Sequence, residues 1–208
     1  MATARRASQN DNHVKRYMFT DPILNELVKK YPKPHFEDRS DFLMRELIES
    51  IISQQLSIKA SDTIFARFVD LFTSGEFPTA KQISKMDDEK IRSAGLSFAK
   101  VSYVKSVANA FVSDLIDIEK IRKQSDEEVI VELTQIKGVG RWTAEMILIF
   151  TLNRPDIFSI GDLGLRNAIT KLYGITDRKE MLALAETWKP HRSTACWYLW
   201  RSLENKIE

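Results

Sequence analysis

The chain has 208 residues and carries 31 Lys+Arg against 29 Asp+Glu, a formal net charge of +2. That length supports one large domain or two small lobes, and the near-neutral balance means that any polyanionic partner must be held by local charge and backbone amides, not bulk attraction. The single cysteine, Cys196, excludes an intramolecular disulfide framework, a Cys-ligated iron–sulfur cluster and a zinc finger.

The opening stretch "MATARRASQNDNHVKR" is polar and lacks the apolar core of a signal peptide. Residues 1–15 are expected to form a flexible, mildly basic tail, and 16–208 a helical region. No apolar run approaches the ~20 residues of a membrane helix. In "TDPILNELVKKY", Asp21 is placed as an N-cap with Pro22 at the first helical position. "DFLMRELIESIISQQLS" sets Phe42, Leu43, Leu47, Ile48, Ile51 and Ile52 on one helical stripe. "IKASDTIFARFVDLF" repeats that period until Gly75 and Pro78 break it, and "DDEKIRSAG" ends in Gly95, placed as a C′ glycine. A further amphipathic stretch, "AKVSYVKSVANAFVSDL", leads to "SDEEVIVELTQI", where Ser125 and Glu128 have the spacing of a capping box. "RWTAEMILIFTL" is apolar enough to be a buried helix, and the aromatic-rich "RSTACWYLWRSLE" closes the chain. Strand-type alternation is nearly absent, so the expected class is all-α. The one long loop is "NRPDIFSIGD", from Asn153 to Asp162.

Between two of these helices lies "LTQIKGVGRWTA". Leu133 and Ile136 pack ahead of a tight turn, and Ala144 and Ile147 pack behind it. Gly138 and Gly140 allow positive φ or close approach of another backbone. The amides opening the second helix are unpaired and carry its positive dipole end, a geometry that suits a phosphate oxygen. Gly-x-Gly alone is a common turn. It is not a P-loop, since no Gly-Lys-Ser/Thr follows, and a dinucleotide fingerprint needs a preceding strand and a third glycine.

The full pattern Leu-x-x-Ile-x-Gly-Val-Gly-Arg-x-Thr-Ala resembles the helix-hairpin-helix of DNA repair glycosylases. "IFSIGDLGLRNAI" resembles the loop and aspartate that complete that superfamily's signature, and "IISQQLSIKA" and "WKPHRSTACWYLWR" are similar to two further blocks of the DNA-3-methyladenine glycosylase II family. The four blocks run in order from Ile51 to Arg201. The resemblance implies two helical lobes with an active-site cleft between them. The expected partition is a middle bundle over about 50–133, and a second lobe from 16–49 plus 134–208 that includes the hairpin, 134–145.

The implied reaction is hydrolysis of the N-glycosidic bond of alkylated purines in duplex DNA. Positive charge builds on the sugar as the base leaves, and a carboxylate beside it stabilises that charge and orients water. The family's catalytic aspartate falls on Asp162. Read from the residues alone, Asp162 is an N-cap for "LGLRNAITKLYG", and both roles can coexist. Asp156 is the rival carboxylate, placed as a solvated loop acid. The target nucleotide must leave the stack, and Gln55, beside Gln54, aligns with the wedge that fills the gap; read locally, both are polar residues ending a helix. Trp200 and Trp142 match the aromatic walls of the base pocket, where a cationic purine is a cation–π partner. Trp197 and Tyr198 read as core. In the superfamily's bifunctional lyases a lysine stands where Trp142 stands here, so a monofunctional enzyme without a Schiff base is expected.

The hairpin residues Lys137, Gly138, Val139, Gly140 and Arg141 are the implied phosphate site. The carbonyls of Thr134, Ile136 and Val139 match those that hold a monovalent cation, Na or K; no other cofactor is expected. Lys137 replaces a frequent proline, Ser159 another in the aspartate loop, and His191 a usual aromatic, and these departures bear on loop rigidity and substrate range. The expected partner is double-stranded DNA containing alkylated bases, bound by a monomer with no membrane, in a prokaryotic cytoplasm or a eukaryotic nucleus. Alternatives are a glycosylase for uracil, hypoxanthine or an oxidised purine, or a non-catalytic module that binds damaged DNA.

Overall fold

The computed structural model describes residues 20–72 and 76–204. The expected tail over 1–15 and the helix-breaking Gly75 lie outside the described residues. Among those described, all regular structure is helical, as the periodicity implies. In chain order the helices are α1 (Pro22–Lys30), α2 (Leu43–Ser53), α3 (Ile58–Asp70), α4 (Ala80–Lys85), α5 (Asp88–Arg92) and α6 (Phe98–Val112). They continue with α7 (Ile118–Lys123), α8 (Asp126–Leu133), α9 (Arg141–Phe150), α10 (Leu163–Tyr173), α11 (Arg178–Glu186) and α12 (Arg192–Arg201).

The termini follow local chemistry. Asp21 Oδ1 accepts the Ile23 and Leu24 amides at 2.9 and 3.1 Å, with Pro22 opening α1. Ser125 and Glu128 form the expected reciprocal box, Glu128 Oε2 accepting the Ser125 amide at 2.8 Å, and Thr79 with Gln82 forms a second. Gly95 has φ +108°, a conformation that favours glycine, but it stands two residues past the Ser93 C-cap of α5, so the expected C′ position falls on Ala94. The apolar stripe of α2 is realised in Leu43, Leu47, Ile48, Ile51 and Ile52, all fully buried. Phe42 is the exception. It ends a 3₁₀ turn before α2, stays about half exposed, and lies under the Arg39 guanidinium at 5.8 Å.

The described residues divide into two compact units, one within Glu37–Asn153 and the other joining residues 20–36 with residues 154–204. This division differs from the expected boundaries near 50 and 134. The hairpin and α9 fall in the middle unit because α9 packs on α8 and α2, and α2 in turn packs on α3 and α6. The core of that unit includes Leu47, Ile51, Phe68, Ile83, Val104, Leu133 and Leu148, each worth about 1.5–3 kcal/mol in removed apolar surface.

In the other unit, α12 packs against α1 and α10. Leu24, Leu165, Ile169, Trp188, Cys196, Tyr198 and Leu199 form its core. Asp21 does more there than cap a helix. Its Oδ2 accepts the Tyr173 hydroxyl at 2.8 Å and the Trp188 indole N–H at 2.9 Å, which satisfies two polar groups of a mostly apolar cluster. Burial, together with the Asp21 carboxylate, pushes the Tyr173 phenol far above its ordinary pKa.

Candidate active site

In the middle unit, the turn between α8 and α9 uses its two glycines differently. Gly138 has φ +95°, and a Cβ placed on it would lie 2.4 Å from Tyr103 Cγ and 2.6 Å from Tyr103 Cβ. Only glycine lets the turn press against α6. Gly140 has an ordinary φ of −93° and is the N-cap of α9 without a side-chain cap; a Cβ there would meet nothing within 4 Å. The space beside it is open, and the first amides of α9 present the positive end of that helix. Ile136, Val139, Ala144 and Ile147 anchor the turn with buried side chains, and the Val139 amide donates to Ile136 O at 3.0 Å.

The two basic hairpin residues are placed unlike one another. Lys137 is exposed and folds onto α6, its amide donating to Ser106 Oγ at 3.1 Å and its Nζ to Ser102 Oγ at 3.3 Å. Arg141 is engaged by acids: both terminal nitrogens reach Glu127 at 2.9 Å and Nε reaches Glu145 at 3.0 Å. Hydrogen bonding to Arg141 holds the Glu127 carboxyl below its ordinary pKa. The sequence groups Arg141 with the phosphate ligands, and the fold commits its guanidinium to two carboxylates. Trp142, one residue on, is 44% exposed at the start of α9.

The "SQQLS" block lies in the same unit. α2 ends at Ser53, Gln54 is its C-cap, and exposed Gln55 takes φ +61°, a left-handed conformation costing a non-glycine residue about 1–2 kcal/mol. Gln54 Nε2 donates to Gly138 O at 3.4 Å, so this turn and the glycine hairpin are linked directly. The helix-ending role is realised, and Gln55 is exposed just beyond it.

In the unit built from the chain ends, Asp162 is the N-cap of α10. Its Oδ1 accepts the Leu165 amide at 2.7 Å and the Trp200 indole N–H at 2.9 Å. Asp162 and Trp200, both half-buried, are thus brought into contact, and the cap and the orienting partner act on one oxygen. Gly164 makes this possible, because a Cβ on it would lie 3.1 Å from Asp162 Oδ1 and from Trp200 Cδ1. Nothing in the sequence marks that glycine beyond its place two residues after the aspartate. Ser159, fully buried, accepts the Asp162 amide on its carbonyl at 3.0 Å.

Asp156 is corrected from a solvated loop acid to an ion-paired one. Arg192 Nε donates to its Oδ1 at 2.8 Å and Nη2 to its Oδ2 at 3.0 Å. Partial burial acts to raise its pKa, but the Arg192 hydrogen bonds and charge outweigh it and hold the carboxyl below the ordinary value. Trp188 and Tyr198 are core, at 1% and 0% exposure. Trp197 is half-buried, packs edge-on to Tyr198 at 4.9 Å, and carries the Arg201 guanidinium over its ring at 5.5 Å. His191 is half-buried ahead of α12 and donates its amide to Trp188 O at 2.8 Å. Among the described residues, no group of three or more His, Cys, Asp or Glu is placed to hold a metal ion, and no helix is long and apolar enough to cross a membrane.

Residues 48–192 match the family model described as HhH-GPD superfamily base excision DNA repair protein. The chain is 42% identical over 184 residues to DNA-3-methyladenine glycosylase 1 of Schizosaccharomyces pombe, covering 86% of this chain and 80% of the relative. Among solved structures, it is similar to an S. pombe 3-methyladenine DNA glycosylase in complex with abasic DNA, at TM-score 0.79 and 37% identity over 96% of this chain and 100% of that one. It is also similar to a DNA-3-methyladenine glycosidase of Bacillus halodurans, at TM-score 0.78 and 32% identity over 94% and 89% of the two chains. A glycine hairpin followed by a capped, indole-bonded aspartate, within a match of this extent, establishes that the chain belongs to the HhH-GPD superfamily of base excision DNA repair proteins.

Proposed function

We propose that the protein is a monofunctional DNA glycosylase that hydrolyses the N-glycosidic bond of alkylated purines, of the 3-methyladenine and 7-methylguanine type, in duplex DNA. The observation that carries this reading is the Asp162 carboxylate, fixed through Oδ1 by the Leu165 amide and the Trp200 indole. As the glycosidic bond breaks, positive charge develops on the sugar and the base departs with the bonding pair. A preoriented carboxylate stabilises that charge without reorganising, and it can accept a proton from the water that adds to the sugar. Trp142 stands where a lyase needs an amine nucleophile, so water is the acceptor and the product is an uncut abasic site. The relatives named as 3-methyladenine glycosylases, and the one solved with abasic DNA, support this substrate class.

The target nucleotide is flipped before cleavage. Gln55, exposed in a left-handed turn, is the proposed wedge, and Trp142 and Trp200 are each proposed as an aromatic surface for a cationic base. The phosphate-binding role belongs to the amides around Gly138, Val139 and Gly140 and to Lys137, whose 3.3 Å contact with Ser102 is easily exchanged; Arg141 instead braces α9. The carbonyls of Thr134, Ile136 and Val139 would hold a monovalent cation, which supplies positive charge next to a DNA phosphate. In support, the buried side chains of Ile136 and Val139 fix the turn on both sides of Gly138. The enzyme would act wherever the cell keeps its DNA, in a prokaryotic cytoplasm or a eukaryotic nucleus. The test is release of free base from duplex DNA treated with a methylating agent, run beside duplexes carrying uracil, hypoxanthine or 8-oxoguanine. Release of methylated purines is expected, with no borohydride-trapped adduct; release of only another base, or a robust adduct, would overturn the assignment.

A further inference from the structure

The turn that carries Gln55 lines a cavity. Ile52, Gln54, Gln55, Leu56 and Leu96 border a cavity of about 240 Å³ that also opens onto Lys100 of α6. Lys100 Nζ donates to Ile52 O at 2.8 Å and to Gln54 O at 2.7 Å. These carbonyls belong to the last turn and the C-cap of α2, where an ammonium satisfies orphan acceptors and complements the negative end of the helix. Both contacts have the short length of charge-assisted bonds. The next residue, Gln55, holds φ +61°, and the side chain of Gln54 reaches the hairpin at Gly138 O. Burial pulls the Lys100 ammonium below its ordinary pKa, as expected for a charge held partly away from water.

We infer that Lys100 is a positioning residue for the Gln55 wedge: its ammonium clamps the Ile52 and Gln54 carbonyls so that the turn keeps its left-handed form and resists collapse into the cavity when Gln55 is pushed into the duplex. The inference rests on the glycosylase reading and on Gln55 as the wedge. Without the clamp, an unsupported turn over an open cavity relaxes, and the energy of insertion is spent on re-forming it. Lys100 itself touches no reacting atom. Its effect passes through the carbonyls that flank Gln55.

The test is a double-mutant cycle with K100M and Q55A in the full chain. Single-turnover excision of 7-methylguanine from duplex DNA is measured, and a 2-aminopurine opposite the lesion reports disturbance of the stack. K100M is expected to slow excision about tenfold, the scale of losing a hydrogen bond to a charged group. It should reduce the 2-aminopurine response as Q55A does, and add nothing when combined with Q55A. K100R, which keeps the charge, is expected to restore part of the rate. The thermal midpoint identifies a folding defect, and K100Q replaces K100M if the latter does not fold. Wild-type rate in K100M, or losses from K100M and Q55A that multiply, would overturn the Lys100 inference alone. Full activity in Q55A would remove the wedge assignment, and an inert wild-type protein would remove the glycosylase reading.

Discussion

Replacing Gly138 by alanine puts a methyl group 2.4 Å from Tyr103 Cγ and 2.7 Å from Tyr103 Cδ2. The clash falls at the root of the ring, so a rotamer change cannot clear it and α6 must shift against the hairpin. The left-handed φ adds about 1–2 kcal/mol and the overpacking about 1–3 kcal/mol, for a total of about 2–5 kcal/mol. Gly140→Ala is the paired control. Its Cβ meets nothing in the protein, and φ −93° suits any residue, so the cost is limited to the poorer N-cap, at most about 1 kcal/mol. Urea unfolding should separate the two variants clearly. Binding to a duplex carrying an abasic site should then reverse the interest: G140A, though well folded, is expected to bind about tenfold more weakly, because its methyl occupies the face left open for a phosphate. A G138A protein as stable as wild type would refute the packing argument. Undiminished DNA binding by G140A would refute the assignment of that open face.

Gly164→Ala sets a methyl 3.1 Å from Asp162 Oδ1 and from Trp200 Cδ1. Helix propensity improves by up to about 1 kcal/mol, so stability should change little, while displacement of the carboxylate by tenths of an ångström should lower single-turnover excision about tenfold. An unaltered rate would show that the Asp162–Trp200 contact is not what positions the carboxylate. Asp156 has a folded pKa held below its ordinary value by Arg192, so its contribution to stability is present above the unfolded pKa of about 3.9 and is lost as pH falls through the lower folded value. D156N should therefore lower the melting temperature at pH 7 and converge with wild type in strong acid. A difference that persists there would place the effect in packing.

Features governed by local chemistry were legible in the sequence. The Asp21 and Ser125 caps, the α2 stripe and the Gly95 conformation depend on neighbours within a few residues. The hairpin and the aspartate loop were legible as motifs. What escaped depends on partners distant in sequence. Gly138 needs to be glycine because of Tyr103, Asp156 is paired because Arg192 folds back onto it, and the Arg141 guanidinium is engaged by Glu127 and Glu145. The second oxygen of Asp21 is read only once Tyr173 and Trp188 are in place. The unit boundary moved for a similar reason, since the packing of α9 on α2 is invisible to periodicity.

The most direct test of the central claim is single-turnover release of 3-methyladenine from methylated duplex DNA by wild type and D162N, with duplex binding measured in parallel. Asparagine keeps a cap acceptor for Leu165 and a partner for the Trp200 indole but removes the charge. D162N should bind DNA at least as well as wild type and lose excision by a factor of 100 or more, on the order of the loss when one preorganised electrostatic group is removed. Excision at the wild-type rate by a D162N protein that still binds DNA would contradict the account.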